Sequence, residues 1–317
     1  MKLVESLEAL RYDQPLVLVI GSFDGVHRGH IYLLTQARER AREHHLAFGI
    51  ITFDPAPALV LRPGLGDYQI TGRDLKVALL AALEPNLLAV VPFTRELAAL
   101  TAKQFIDTLE DGLRLAELWV GDDFRFGRDR EGGIPYLLER ARNAEFAVHV
   151  VARQGPQAGV PDVSSSAIRD ALHAGDVRLA REMLGRPFEL SGVVVRGHGR
   201  GRALGYPTAN LALPKEQIVP GAGVYAAIAE LPGERFAAAA SIGTNPQFGD
   251  AETSVEAYLL DFDRDIYDQR LRLLFVERLR DQARFASLDL LCAQIAADVE
   301  NTRRIINSRQ YAEGSRQ

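Results

Sequence analysis

The chain has 317 residues, a length that favours two domains, each large enough to bury its own hydrophobic interior. Its formal net charge of −5 gives no global field for a polyanion, which argues against non-specific nucleic-acid binding and requires any anion site to be local. A single cysteine, Cys292, forbids an intramolecular disulfide and reads as a packed thiol, while the absence of any run near ~20 apolar residues or of a signal pattern in MKLVESLEAL predicts a soluble cytoplasmic protein without a membrane partner.

Up to about residue 185, short apolar runs alternate with helical patterns. LVLVI (16–20), LAFGIITF (46–53), LLAVVPF (87–93), ELWVG (117–121) and FAVHVV (146–151) read as buried parallel strands. Between the first two, Ile31, Leu34, Ala37, Ala41 and His45 recur at spacings of three and four, which predicts a crossover helix from about Gly29. This half is α/β.

Gly21-Ser22-Phe23-Asp24-Gly25-Val26-His27-Arg28-Gly29-His30 joins the first strand to that helix. Gly21 and Gly25 permit tight backbone beside a ligand, and the N–H groups at a helix start favour an anion. His27 and His30, three apart, share one side of the first turn and are placed to donate to one polyphosphate. Such donors answer the charge that builds on phosphate oxygens when the α-phosphorus of ATP is attacked. From the string alone, a helix start with two incidental histidines reads equally well; a zinc pair fits worse, because helical pairs sit at i and i+4 with a third ligand. The location, at the first strand-to-helix turn of a parallel sheet, favours the nucleotide. Further along, Val163-Ser164-Ser165-Ser166-Ala167-Ile168-Arg169 offers hydroxyls, N–H groups and a guanidinium to a phosphate chain, with a serine N-cap and a solvated arginine as the plainer alternative.

From about residue 189 strands follow one another: ELSGVVV (189–195), GVYAAIAEL (223–231), RFAAAASIG (235–243), SVEAYLL (254–260) and LRLLFVERL (271–279), with Pro232-Gly233 as a turn. A small antiparallel barrel is expected, closed by a helix from Leu288 to Ile306 whose Leu291, Ile295 and Val299 recur at helical spacing. The domain boundary is placed at Gly185-Arg186-Pro187, and the tail after about Asn307 reads as disordered. After the first barrel strand, Arg196 to Asn210 interleaves glycines with arginines before Tyr206-Pro207-Thr208-Ala209-Asn210, a loop suited to wrap a polyphosphate without being a Walker loop. Thr208 and Asn210, two apart, project to one face as oxygen ligands for Mg²⁺. A flexible basic loop is the alternative, against which the ordered Pro-Thr-Ala-Asn end speaks.

The histidine and serine segments, with Thr52-Phe53-Asp54-Pro55-Ala56-Pro57 and Val120-Gly121-Asp122-Asp123-Phe124-Arg125-Phe126-Gly127, closely resemble the adenylyltransferase module of the bacterial bifunctional riboflavin kinase/FMN adenylyltransferase family over nearly the whole first half. Pro-Thr-Ala-Asn, Gly223-Val224-Tyr225, Ser241-Ile242-Gly243-Thr244-Asn245, Val255-Glu256-Ala257-Tyr258 and the closing helix region are similar to its riboflavin kinase module. The resemblance implies a Rossmann-like domain over 1–185 that adenylylates FMN to FAD and a β-barrel domain over 186–317 that phosphorylates riboflavin to FMN, both with ATP and Mg²⁺. In the first, His27 and His30 are catalytic, Gly21, Phe23, Asp24, Gly29 and Asp123 bind the nucleotide, and Ser164, Ser165 and Arg169 hold the leaving pyrophosphate. In the second, Gly199, Arg202, Gly205, Pro207, Thr208 and Asn210 bind ATP, and Glu256 is the general base for the ribityl 5′-hydroxyl. Two departures stand out: Ala56 occupies the position of a usual histidine, and Tyr206 that of a more frequent phenylalanine. The alternatives are a kinase with weak or absent adenylyl transfer, an adenylyltransferase for another substrate, and a flavin or nucleotide sensor. His27, His30, Thr208, Asn210 and Glu256 together speak against the sensor, since a pure binder has no need for the base.

Overall fold

The computed structural model describes residues 1–152, 163–197, 201, 204–244 and 253–308. The chain divides into two compact units, Met1–Ser165 and Ser166–Gln317. The first is built on strands β1 (Lys2–Val4), β2 (Tyr12–Ile20), β3 (Ala47–Asp54), β4 (Leu87–Pro92) and β5 (Leu113–Gly121), the short ribbon β6 (Arg125–Phe126) and β7 (Gly132–Gly133), and β8 (Ala147–Val151). Six of these form one sheet in the order β1-β4-β3-β2-β5-β8, every pair parallel.

Parallel pairing requires crossovers, and helices α1 (Arg28–Glu43), α2 (Pro57–Leu61), α3 (Arg73–Ala81), α4 (Arg95–Ala99), α5 (Ala102–Gly112) and α6 (Ile134–Arg142) lie in them. Both sheet faces are therefore covered, which explains why β2 is apolar without alternation. Leu16, Leu18 and Ile20 pack with Phe105, Ile106 and Leu109 of α5, while Val17 and Val19 pack with Leu33, Leu34 and Ala37 of α1. Each such buried Val, Leu, Ile or Phe side chain contributes about 1.5–3 kcal/mol. The crossover helix ends two residues earlier than its pattern predicts: it stops at Glu43, and His45 stands outside it, exposed, with φ 54°. Leu33 takes a buried place instead. Three-residue β1 had no sequence signal beyond one buried valine.

The strand order reverses at β2, which has β3 on one side and β5 on the other. The crevice beyond the carboxyl ends of these strands, at Gly21 and Gly121, is the ligand position of open parallel sheets.

The second unit carries most of α7 (Ser165–His173), then α8 (Val177–Leu184) and strands β9 (Phe188–Val195), β10 (Ala209–Ala212), β11 (Gly223–Leu231), β12 (Glu234–Thr244), β13 (Thr253–Leu259) and β14 (Arg270–Arg280). These strands close into the antiparallel barrel β10-β13-β12-β11-β14-β9. The change of rhythm near residue 185 marks where strands begin; the compact unit begins earlier because the helical pair packs on the barrel, α8 against β9 and β14, with Gly221 N–H donating to Leu172 O at 2.8 Å. Gly233, at φ 78°, makes the β11–β12 turn. Helix α9 (Leu288–Ile306), capped by Ser287 accepting from Leu290 N–H, closes the barrel as expected but through a polar anchor. Its fully buried residues are Asp298 and Thr302, and Asp298 receives Arg280 at 2.7–3.1 Å, while Leu291, Ile295 and Val299 are half-buried.

Candidate active sites

The glycine turn after β2 is held in a conformation that few sequences adopt. Phe23 (φ 45°), Gly25 (φ 87°) and Val26 (φ 39°) all have positive φ, and a β-branched valine there is strained. Surrounding bonds over-determine the turn. Gly21 N–H donates to Ile51 O at 3.1 Å, the Thr52 hydroxyl to Ser22 O at 3.0 Å, and the Ser165 hydroxyl to Asp24 O at 2.9 Å. The Asp24 carboxylate, 2% exposed, accepts the N–H groups of Ile70 and Thr71 at 3.0 and 3.2 Å. Phe23 is buried, with its ring where a Cβ on Gly21 would fall, 2.8 Å away, and edge-on to His30 at 5.2 Å. Phe23 and Asp24 thus enter the site by fixing its backbone and its histidine, not as exposed ligand groups.

His27 is the N-cap of α1, and its Nδ1 accepts the His30 N–H at 3.3 Å. An acceptor Nδ1 carries no proton, so the cap selects the tautomer with the proton on Nε2. The two imidazoles stack, centroids 3.6 Å apart and planes 17° apart. Gly29 leaves room for the His27 ring, which a Cβ there would meet at 3.2 Å. His30 keeps some exposed surface, but its Nδ1 is sealed and has no hydrogen-bond partner among the described residues. Burial, reinforced by His27, holds the His30 imidazole well below its ordinary pKa of 6.5. His30 therefore presents a neutral imidazole beside His27 at the helix start.

The other expected residues differ in burial. Asp123 is exposed in the turn after β5, its carboxylate over Gly121, at the carboxyl end of the strand beside β2. Ser164 is half-buried just before α7; Arg169, one turn beyond Ser165 in that helix, is 8% exposed. Ala56 is buried as the N-cap of α2 and makes no side-chain cap. Lys76, which no motif indicated, is fully buried on α3 and donates to Phe53 O at 2.6 Å. On its helix it is one of three charged residues with Arg73 and Asp74, so the sequence gives no hint that it alone of the three is buried.

In the barrel, register brings the second motif together. Asn210 of β10 lies opposite Glu256 of β13, which also lies opposite Ser241 of β12. The Thr208 hydroxyl donates to Glu256 Oε2 at 3.1 Å. Tyr206 packs edge-on to Tyr258 at 5.3 Å. Gly205 has φ 83°, and Pro207 beside it is exposed. The Gly201 carbonyl accepts from Leu204 N–H at 3.1 Å and from Tyr206 N–H at 2.8 Å, and Gly197 lies against the Asn210 carboxamide with no room for a Cβ. Gly199 and Arg202, expected at the nucleotide, and Asn245 lie outside the described residues. Among the described residues no group of three or more His, Cys, Asp or Glu side chains is placed to hold a metal ion.

A family model described as FAD synthetase matches residues 10–167, and one described as riboflavin kinase matches residues 184–306. The chain is 39% identical over 306 residues to a bifunctional riboflavin kinase/FMN adenylyltransferase of Pseudomonas fluorescens, covering 96% of this chain and 97% of that one. The chain belongs to this bifunctional family. Two further members show the same likeness end to end, from Escherichia coli K12 at 38% identity (94% and 96% covered) and from Bacillus subtilis at 34% (92% and 93%). A solved structure described as a macrolide-efflux protein of Streptococcus pneumoniae shares the whole architecture, with a TM-score of 0.84 at 31% identity over 95% of this chain and 98% of its own. That description belongs to the other protein; among the described residues here, no helix is long and apolar enough to cross a membrane.

Proposed function

We propose that this chain makes FAD from riboflavin in two ATP-dependent steps. The barrel transfers a phosphoryl group to the ribityl 5′-hydroxyl, giving FMN and ADP; the parallel-sheet unit transfers AMP from ATP to FMN, giving FAD and pyrophosphate. The observation that carries this reading is the placement of two family matches end to end, 10–167 and 184–306, each over a unit with its own converging motif.

In the adenylyl site, FMN's phosphate oxygen attacks the α-phosphorus and the bond to the bridging oxygen of pyrophosphate breaks. His27, through its Nε2–H, and neutral His30 donate to oxygens that gain charge, and the start of α1 adds N–H groups. A neutral donor such as His30 acts without an imidazolium, so its contribution does not depend on a proton taken from solution. Gly21, Gly29 and Asp123 border the nucleotide, with Phe23 and Asp24 beneath, and Ser164, Ser165 and Arg169 hold the departing pyrophosphate.

In the kinase site Glu256 accepts the 5′-hydroxyl proton as that oxygen attacks the γ-phosphorus. The Thr208 hydroxyl, by donating to Oε2, fixes the carboxylate's orientation. Gly199, Arg202, Gly205 and Pro207 complete the phosphate loop. The hydroxyl and carboxamide oxygens of Thr208 and Asn210, beside a carboxylate, are hard donors of the kind Mg²⁺ takes, and the bound ion would neutralise charge on the transferring phosphate. With this reading go small-molecule substrates, no nucleic-acid partner and a cytoplasmic location.

Incubating the purified protein with riboflavin, ATP and Mg²⁺ and separating the flavins by chromatography tests the proposal. FMN followed by FAD is expected. FMN alone points to the narrower kinase that Ala56 leaves open, and unchanged riboflavin to a binding protein.

A further inference from the structure

Lys76 is fully buried, which a lysine tolerates only when its charge is compensated. Its ammonium donates to Phe53 O at 2.6 Å and lies 3.4 Å from Asp54 Oδ1, both at the carboxyl end of β3. Asp24, in the glycine turn, is near enough for its charge to act on the same ammonium. Gln69 links the two acidic positions: its amide donates to Asp54 Oδ1 at 3.2 Å and to Thr71 O at 3.0 Å, and Thr71 N–H donates to Asp24. Arg73 on the same helix stands 4.0 Å from Asp54 Oδ2 and is also bonded to the Glu5 carboxylate. Burial lowers the Lys76 pKa, while Asp54 and Asp24 oppose that shift.

Two carboxylates thus sit behind a turn assigned to a polyphosphate, where their charge opposes that of the ligand. On the strength of the adenylyl-transfer reading above, we infer that Lys76 is a positioning residue for ATP, holding the end of β3 and offsetting Asp54 and Asp24 so that the glycine turn accepts a polyanion. The helix position alone does not require a lysine, since an apolar side chain would fill a buried site at lower desolvation cost.

The test is steady-state FAD formation from FMN and ATP in the full chain, with riboflavin phosphorylation as the internal control. Lys76→Met is expected to raise the KM for ATP about tenfold with a smaller change in kcat, the signature of lost ground-state binding. Adding Asp54→Asn, which removes, with little change of shape, the carboxylate charge that Lys76 no longer offsets, should return most of that loss, and Asp54→Asn alone should lower the KM. A packing role predicts no such rescue. An unchanged KM in Lys76→Met, or a double variant no better than the single, overturns the inference. If Lys76→Met does not fold, Asp54→Asn decides alone, and an unchanged or raised KM there overturns it. FAD formation by the unaltered chain separates this failure from that of the functional reading, since a chain that makes no FAD removes both.

Discussion

His27 does two things with one ring: Nδ1 caps α1 and Nε2 keeps the proton that can be donated. Stacked on it, His30 is kept neutral by burial and by its neighbour. Changing His30 to Ala is expected to lower FAD formation by roughly 10²–10⁴-fold if its N–H donates in the transition state, with FMN formation unchanged. Chromatographic rates for the two reactions check this, and equal losses in both would place His30 in the fold instead of the chemistry. The depressed pKa also has a stability consequence. Below pH 6.5 the unfolded chain takes up a proton at His30 that the native state refuses, so stability falls with falling pH until the folded-state pKa is reached, by at most about 1.4 kcal/mol per pH unit; above pH 6.5 the group contributes nothing. Urea titrations at pH 7.5 and 5.5 should show a smaller acid loss in His30→Gln than in the unaltered chain. The two histidines were legible because their spacing and place after a strand are in the string, whereas the neutrality of His30 was not, because it comes from burial and from His27 beside it. Lys76 was hidden for the same reason, its partners Phe53 and Asp54 being more than twenty positions away.

At the scale of elements, strands and helices were read where apolar patterning is dense. The runs at 16–20, 87–93 and 223–231 fall on β2, β4 and β11, and α9 matches its forecast limits of Leu288 and Ile306. β1 and β10 are too short for a pattern of their own and exist through pairing, β1 on β4 and β10 between β9 and β13. That second pairing matters for function, because it sets Asn210 opposite Glu256. Gly197 is part of the same arrangement: a Cβ there would collide with the Asn210 carboxamide. Gly197→Ala should therefore displace Asn210 and lower riboflavin phosphorylation on the order of tenfold or more, the scale on which small displacements of positioned groups cost rate. FAD formation from supplied FMN should be unaffected. A Gly197→Ala chain with full kinase turnover would show that the Asn210 side chain does not need its present position.

For the whole molecule, the main question is whether two reactions in one chain behave as one machine. Around the glycine turn His27 caps the helix that carries His30 and Ser165 donates to Asp24, while in the barrel Thr208 donates to Glu256 and Asn210 lies opposite it, so the two reactions are expected to use separate sets of residues. FMN is the product of one and the substrate of the other. A chain carrying Glu256→Gln lacks the base and should not phosphorylate riboflavin, but should still adenylylate FMN; a chain carrying His30→Ala should do the reverse. Mixed in solution with riboflavin, ATP and Mg²⁺, the two variants are expected to restore FAD formation, because each contributes one intact site and FMN released by one is captured by the other. FAD should then appear after a lag during which free FMN accumulates, and the lag should shorten as the His30→Ala chain, which supplies FMN, is added in excess. If each variant shows its intact activity alone but the mixture makes FMN and no FAD, FMN formed in one chain does not reach the adenylyl site of another, and independence of the two units would have to be abandoned.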